Sequence, residues 1–178
     1  MGPMSTQPMK VDNTAFLLEK LAADCSPLQY IRELTENAVQ AITERRNRGW
    51  EGEGFVYWDV DWRLVEGRDN PVYKLQVSDN GTGMTGPEIQ KYINHLAASA
   101  REQDVTKNFG VGAKITACVK NPHGLIYKSW VDGSGVYARL FKDDEIGYGL
   151  QQLELPSGDF EHFAPLLDEA KSEPITDD

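Results

Sequence analysis

Hydrophobic positions recur at helical spacing early in the chain and at alternating spacing after it. Phe16, Leu17, Leu18 and Leu21 form an apolar face that predicts a helix over 13–23. Leu28, Ile31, Leu34, Ala38 and Ile42 predict a second, longer helix. Ser26 is placed to cap it, Pro27 suits its first position, Gln29 completes a capping box and Gly49 is a stop. Residues 54–62 alternate as a strand, with Val56, Trp58, Val60 and Trp62 on one face. After a turn-rich stretch, residues 72–78 form another, with Tyr73, Leu75 and Val77 inward. The two strands read as a hairpin.

Beyond it, Thr85 and Glu88 form another capping box, and Ile89, Ile93 and Leu96 carry a helix to about Ala98. A polar stretch, 97–108, leads to Phe109–Gly110–Val111–Gly112 and a further helix over 113–119. Residues 121–124 are a turn. Strands follow at 125–131, 136–142 and 149–155, then a short last helix over 160–171. This order lacks the βαβα alternation of a doubly wound sheet. It predicts an α+β fold, a mixed sheet with helices on one face.

Composition narrows the picture. A chain of 178 residues, 40% apolar and 26% charged, suits one soluble globular domain. No apolar run approaches the roughly 18 residues of a membrane span. Residues 1–12 lack the apolar centre of a signal peptide and read as a flexible lead-in. Cys25 and Cys118 make neither a disulfide framework nor a zinc pair, which points to a reducing, cytoplasmic setting. The net charge of −10 is uneven: seven acidic residues against Lys171 after residue 158 leave the body mildly acidic. A body of that sign offers no electrostatic footprint for nucleic acid. Arg45, Arg46 and Arg48 read as a helix C-terminus facing water.

Three polar constellations remain. Glu33 and Asn37 lie four apart on one helical face, in a polar stripe with Tyr30, Gln40 and Glu44. A solvated face explains such a pair. So does chemistry, with Glu33 activating water and the Asn37 amide oxygen binding magnesium. Asp79 ends a strand where an unpaired carboxylate is expensive, and Gly81 and Gly83 clear a tight loop before Met84. A plain strand-to-helix turn has the same composition. Gly81, Gly83 and Gly86 match G-x-G-x-x-G, but no strand with a terminal acidic residue follows, against a dinucleotide fold. Gly110–Val111–Gly112–Ala113–Lys114 opens a helix whose N–H groups and dipole favour an anion, with Lys114 adding charge; a flexible loop is the alternative. No Gly-Lys-Ser/Thr occurs, so the chain is not a P-loop NTPase.

Taken in order, the three sites resemble the gyrase, heat-shock chaperone, histidine kinase and MutL (GHKL) ATPase superfamily. Arg32–Glu33–Leu34–Thr35–Glu36–Asn37–Ala38 is similar to its first motif, and Val77–Ser78–Asp79–Asn80–Gly81–Thr82–Gly83–Met84 to its D-x-G-x-G motif. Phe109–Gly110–Val111–Gly112–Ala113–Lys114 is similar to its second glycine motif, and Ser99 stands where MutL and MORC relatives begin a lid. The resemblance spans about 13–155 and lies nearer MutL, MORC and heat-shock chaperones than sensor kinases.

It implies a two-layer α/β sandwich of the Bergerat type, binding ATP or ADP with magnesium. Glu33 would be the general base and Asn37 the magnesium ligand. Asp79 would bond the adenine amino group, with Gly81, Gly83 and Met84 beside the base. Ser99, Gly110, Val111, Gly112 and Lys114 would border the phosphates, under a lid of about residues 99–109. The resemblance also implies nucleotide-controlled dimerisation and an unknown client, protein or DNA, acting through further domains, with no membrane partner. A rival is a nucleotide-binding module that dimerises or recruits a partner without efficient hydrolysis. One departure is the lack of a Gly-Thr pair after Gly112. The expectation is a domain over 13–158 and an acidic helix or linker over 159–178, cut before that strand and before a transducer domain whose Lys aids hydrolysis.

Overall fold

The computed structural model describes residues 13–62, 67, 69–71, 73–94, 111–121 and 124–166. Helix α1, Thr14–Ala23, opens where the Asn13 side chain accepts the Phe16 N–H at 2.8 Å. It buries Leu18 and Ala22, while Phe16, Leu17 and Leu21 stay exposed. The packing seam is therefore the i, i+4 pair with the small Ala22, which lets the helix sit close, rather than the wider face of large residues.

Helix α2, Gln29–Asn47, starts differently from expectation. Leu28 occupies the cap position with no side-chain bond, so the Ser26–Gln29 capping box does not form. The Ser26 carbonyl takes the Gln29 N–H at 3.1 Å and the Lys120 ammonium at 3.3 Å. The Gln29 amide reaches forward to Glu33 instead. Leu28 and Ile31 are exposed, and the helix buries Ala38 and Ile42 further on.

Strands β1, Val56–Val60, and β2, Leu75–Asp79, pair antiparallel, with Trp58 opposite Val77 and Val56 opposite Asp79. Opposite residues share a face. Trp58 Nε1 donates to Thr35 Oγ1 of α2 at 3.1 Å, so this face, Asp79 included, looks toward α2. Tyr73 and Leu75 are 69% and 49% exposed, which corrects the expectation that they point inward. They lie at the far end of the hairpin from Asp79.

Helix α3, Gly86–Ile93, forms the expected capping box, the Glu88 carboxylate accepting the Thr85 N–H and hydroxyl at 2.8 Å each. The expected continuation to Ala98 lies outside the described residues. Helix α4, Val111–Ala113, runs into a five-residue π-helical turn, Lys114–Cys118. Strands β3, Leu125–Val131, and β4, Ser134–Asp143, meet at a two-residue turn in which Asp132 and Gly133 both have positive φ. The other edge of β4 pairs with β5, Gly147–Leu150, and with β8, Ala164–Leu166. Between these, β6, Leu153–Glu154, pairs with β7, Phe160–Glu161.

The expected strand over 149–155 is thus divided, and no helix forms over 160–166. Phe163 packs onto Gly86 of α3, and Pro165, lacking an N–H, sits in a short strand beside β4. These pairings hold the segment extended. The rest of that expected helix lies outside the described residues. All described strand pairs are antiparallel. Ile89 and Ile93 of α3 and Cys118 of the π turn pack on Ala138, Leu140 and Leu150 of the sheet. The chain is an α+β sandwich of helices on antiparallel sheet. Among the described residues no helix is long and apolar enough to cross a membrane.

Candidate functional site

One face of α2 meets the other two constellations. Glu33 is turned inward, its side chain 18% exposed. Its Oε1 accepts from Arg32 Nη2 at 2.7 Å and Gln29 Nε2 at 3.3 Å. Its Oε2 lies so close to Gly112 of α4 that a Cβ there would overlap the carboxylate. One turn on, Asn37 is half-buried and has no hydrogen-bond partner among the described residues. After another turn Ala41 packs on Gly81, where an added Cβ would lie 2.5 Å from the Ala41 Cβ. The Ala41 carbonyl accepts the Thr82 N–H at 3.3 Å. Glu33, Asn37, Ala41, Gly81 and Gly112 therefore border one region along α2.

Asp79 stands beside it at the end of β2. Its Oδ1 accepts the Gly81 N–H at 2.9 Å. Burial pushes its carboxyl above the ordinary carboxylate value, and the Gly81 bond pulls it back. Gly83 has a φ of 66°, open to glycine at no steric cost, and a Cβ there would overlap the Trp130 carbonyl of β3. Met84 N–H donates to Ser129 Oγ at 2.6 Å, and the Met84 side chain packs on the core. Gly83 and Met84 thus pin the loop to β3.

Lys114 turns elsewhere. It is 3% exposed, and its Nζ donates to the Tyr92 carbonyl of α3 at 2.9 Å. Burial lowers its pKa to about 8. It borders a cleft of about 240 Å³ with Thr14, Leu18, Asn94, Cys118 and Tyr148, whose lining includes neither Glu33 nor Asp79. Val111 is the first residue of α4, while Ser99, Gly110 and the lid expected over 99–109 lie outside the described residues.

Sequence reasoning missed the residues that hold these parts together. Arg45 Nη1 donates to the Asn80 carbonyl at 2.8 Å, so it does not simply face water. The Asn80 side chain accepts the Phe55 N–H at 2.9 Å and donates to the Glu53 carbonyl at 2.8 Å. The available signal was Arg45 standing one turn beyond Ala41 on the row of i, i+4 steps that starts at Glu33 and Asn37. Ser129, inside a strand of larger residues, carried no such signal.

No protein-family profile matches the chain. Its sequence is similar to chaperone protein HtpG from three bacteria. That of Porphyromonas gingivalis is 36% identical over 78 residues, 44% of this chain and 11% of that protein. That of Oleidesulfovibrio alaskensis is 26% identical over 121 residues, 61% of this chain and 19% of that protein. That of Escherichia coli K12 is 26% identical over 141 residues, 65% of this chain and 23% of that protein. The chain spans less than a quarter of the length of these curated relatives. The similarity is compatible with an ATP-binding domain of the GHKL kind, on the chaperone side of that superfamily.

Proposed function

We propose that residues 13–158 form an adenine-nucleotide-binding domain that hydrolyses ATP and uses nucleotide to control its shape or dimerisation. The observation that carries this reading is the face of α2 that sets Glu33 against Gly112 and Ala41 against Gly81, beside Asp79. Three motifs far apart in sequence converge there. The donor set suits the ligand. Asn37 offers an amide oxygen, unengaged among the described residues, of the hard kind magnesium takes, and few protein ligands suffice when phosphates supply others. Asp79 is a half-buried acceptor suited to an exocyclic amino group. The start of α4, at Val111 and Gly112, offers backbone N–H groups suited to phosphate oxygens, and the motif resemblance would add Gly110 to that set.

In this assignment Asp79 orients the base, with Gly81, Gly83 and Met84 shaping the loop around it. Asn37 holds magnesium, which would neutralise charge between the phosphates. Glu33 takes the proton of the attacking water. By the motif resemblance Ser99 would lie at the phosphate end, and Lys114 braces the π-helical turn beside Gly112 through its bond to Tyr92.

Binding without efficient turnover is the second reading. The Glu33 carboxylate supports it, held by Arg32 and Gln29 through one oxygen and closed against Gly112 through the other. Multiple-turnover phosphate release with Mg-ATP separates the two. The ATPase reading expects steady release that falls about 10²- to 10⁴-fold in Glu33→Ala with ATP affinity kept. Tight binding with no Glu33-dependent release supports the binding module.

A further inference from the structure

The stripe of α2 that carries Glu33, Asn37 and Ala41 continues to Arg45, four residues on. Its guanidinium stacks over the Trp50 ring, 4.2 Å from the centroid, while Nη1 donates to the Asn80 carbonyl at 2.8 Å. Gly52 packs on the same ring, where a Cβ would lie 2.5 Å from Cε2. Asn80 ties its loop to the strap of residues 50–55, which leads from α2 to β1, by accepting the Phe55 N–H and donating to the Glu53 carbonyl. One guanidinium therefore joins the strap, the loop after Asp79 and α2. Its planar fork stacks and donates at once, which a lysine ammonium cannot do.

We propose that Arg45 is the positioning residue that keeps the Asp79 loop in register with α2 and so sets affinity for the adenine side of the ligand. The effect on affinity rests on the nucleotide site proposed for this chain. Arg45 touches neither ligand nor reacting atoms; it acts through Asn80 on the backbone that orients Asp79.

The test uses the whole chain with Arg45→Met and Arg45→Lys. Trp50→Leu breaks the stack and leaves the hydrogen bond. In ligand-free protein the Gly81 and Phe55 amides should exchange roughly tenfold faster in Arg45→Met, less so in Arg45→Lys, with mid-α2 amides unchanged. Adenosine and ADP affinities should fall by the same factor, roughly tenfold, and the magnesium dependence of ADP binding should stay as in wild type. A purely structural role would lower the unfolding midpoint and move neither readout. Unchanged exchange at Gly81 and Phe55 in a folded variant overturns the clamp, whether or not nucleotide binds. A loss seen with ADP and absent with adenosine also overturns it, because Arg45 would then act on the phosphates. If wild type binds neither ligand while exchange quickens as expected, the clamp stands and the nucleotide site falls. Should Arg45→Met fail to fold, Trp50→Leu is judged by the same exchange measurement.

Discussion

Asp79 is held against its own preference. Burial raises its carboxyl above its usual value of 3.8, so ionising it costs the folded chain stability as pH rises above that value. Below it both folded and unfolded chains bind the proton and the cost disappears. Asp79→Asn should therefore melt higher than wild type at pH 7, with the gap closing in acid. The same variant should bind adenine nucleotides on the order of 10- to 100-fold more weakly, for want of a charged acceptor. Thermal unfolding across pH and nucleotide titration check the two halves. A variant no more stable at pH 7, or one binding ATP like wild type, contradicts them. Lys114 gives the opposite slope. Its pKa falls from 10.5 to about 8 in the fold, so the unfolded chain binds the extra proton between those values and stability rises with pH there. Cys118 works against it above pH 9, because its thiol is pushed up to about 11 and only the unfolded chain then ionises. Between pH 8 and 9 Lys114 should dominate. The melting temperature of Lys114→Met relative to wild type should accordingly drop from pH 7 to pH 9. A difference independent of pH would mean that the ammonium is not desolvated.

At the level of elements, α2 does most of the organising, and Gly112 is where its packing is easiest to interrogate. In an ordinary helix, alanine in place of glycine stabilises by about 1 kcal/mol. Here a Cβ would overlap the Glu33 carboxylate. Gly112→Ala should instead destabilise by about 1–3 kcal/mol, and Glu33→Ala in the same chain should relieve most of that. Denaturant unfolding of the cycle checks it; a stabilised Gly112→Ala would place Glu33 elsewhere. Asn37→Ala, in contrast, should weaken nucleotide binding only when magnesium is present. The helical pattern made α2 legible, because Ala38 and Ile42 recur at the helical period. Its start was not: Ser26 has all the chemistry of a cap, yet Leu28 takes the cap position, and the Ser26 carbonyl accepts from Gln29 and Lys120. The Lys120 contact spans 94 residues and has no local trace.

Across the whole molecule, the two-layer arrangement could be read from the order of helices, hairpin and later strands. Its last segment could not. Residues 160–171 have helix-forming composition, and the pairing of β7 with β6 and of β8 with β4, with the docking of Phe163 on Gly86, keeps residues 160–166 extended. The candidate site divides in the same way. The motif spacings named Glu33, Asn37, Asp79, Gly81 and Gly112, which the fold gathers along α2. They did not reveal that the Lys114 ammonium goes to Tyr92, since a position in the first turn of a helix leaves the direction of a long side chain open. The central claim is that this gathering makes one adenine-nucleotide site. Calorimetric titration of the whole chain with ATP and magnesium tests it most directly. Saturable binding at one site is expected. No heat, and no rise in melting temperature at millimolar ATP, would contradict it.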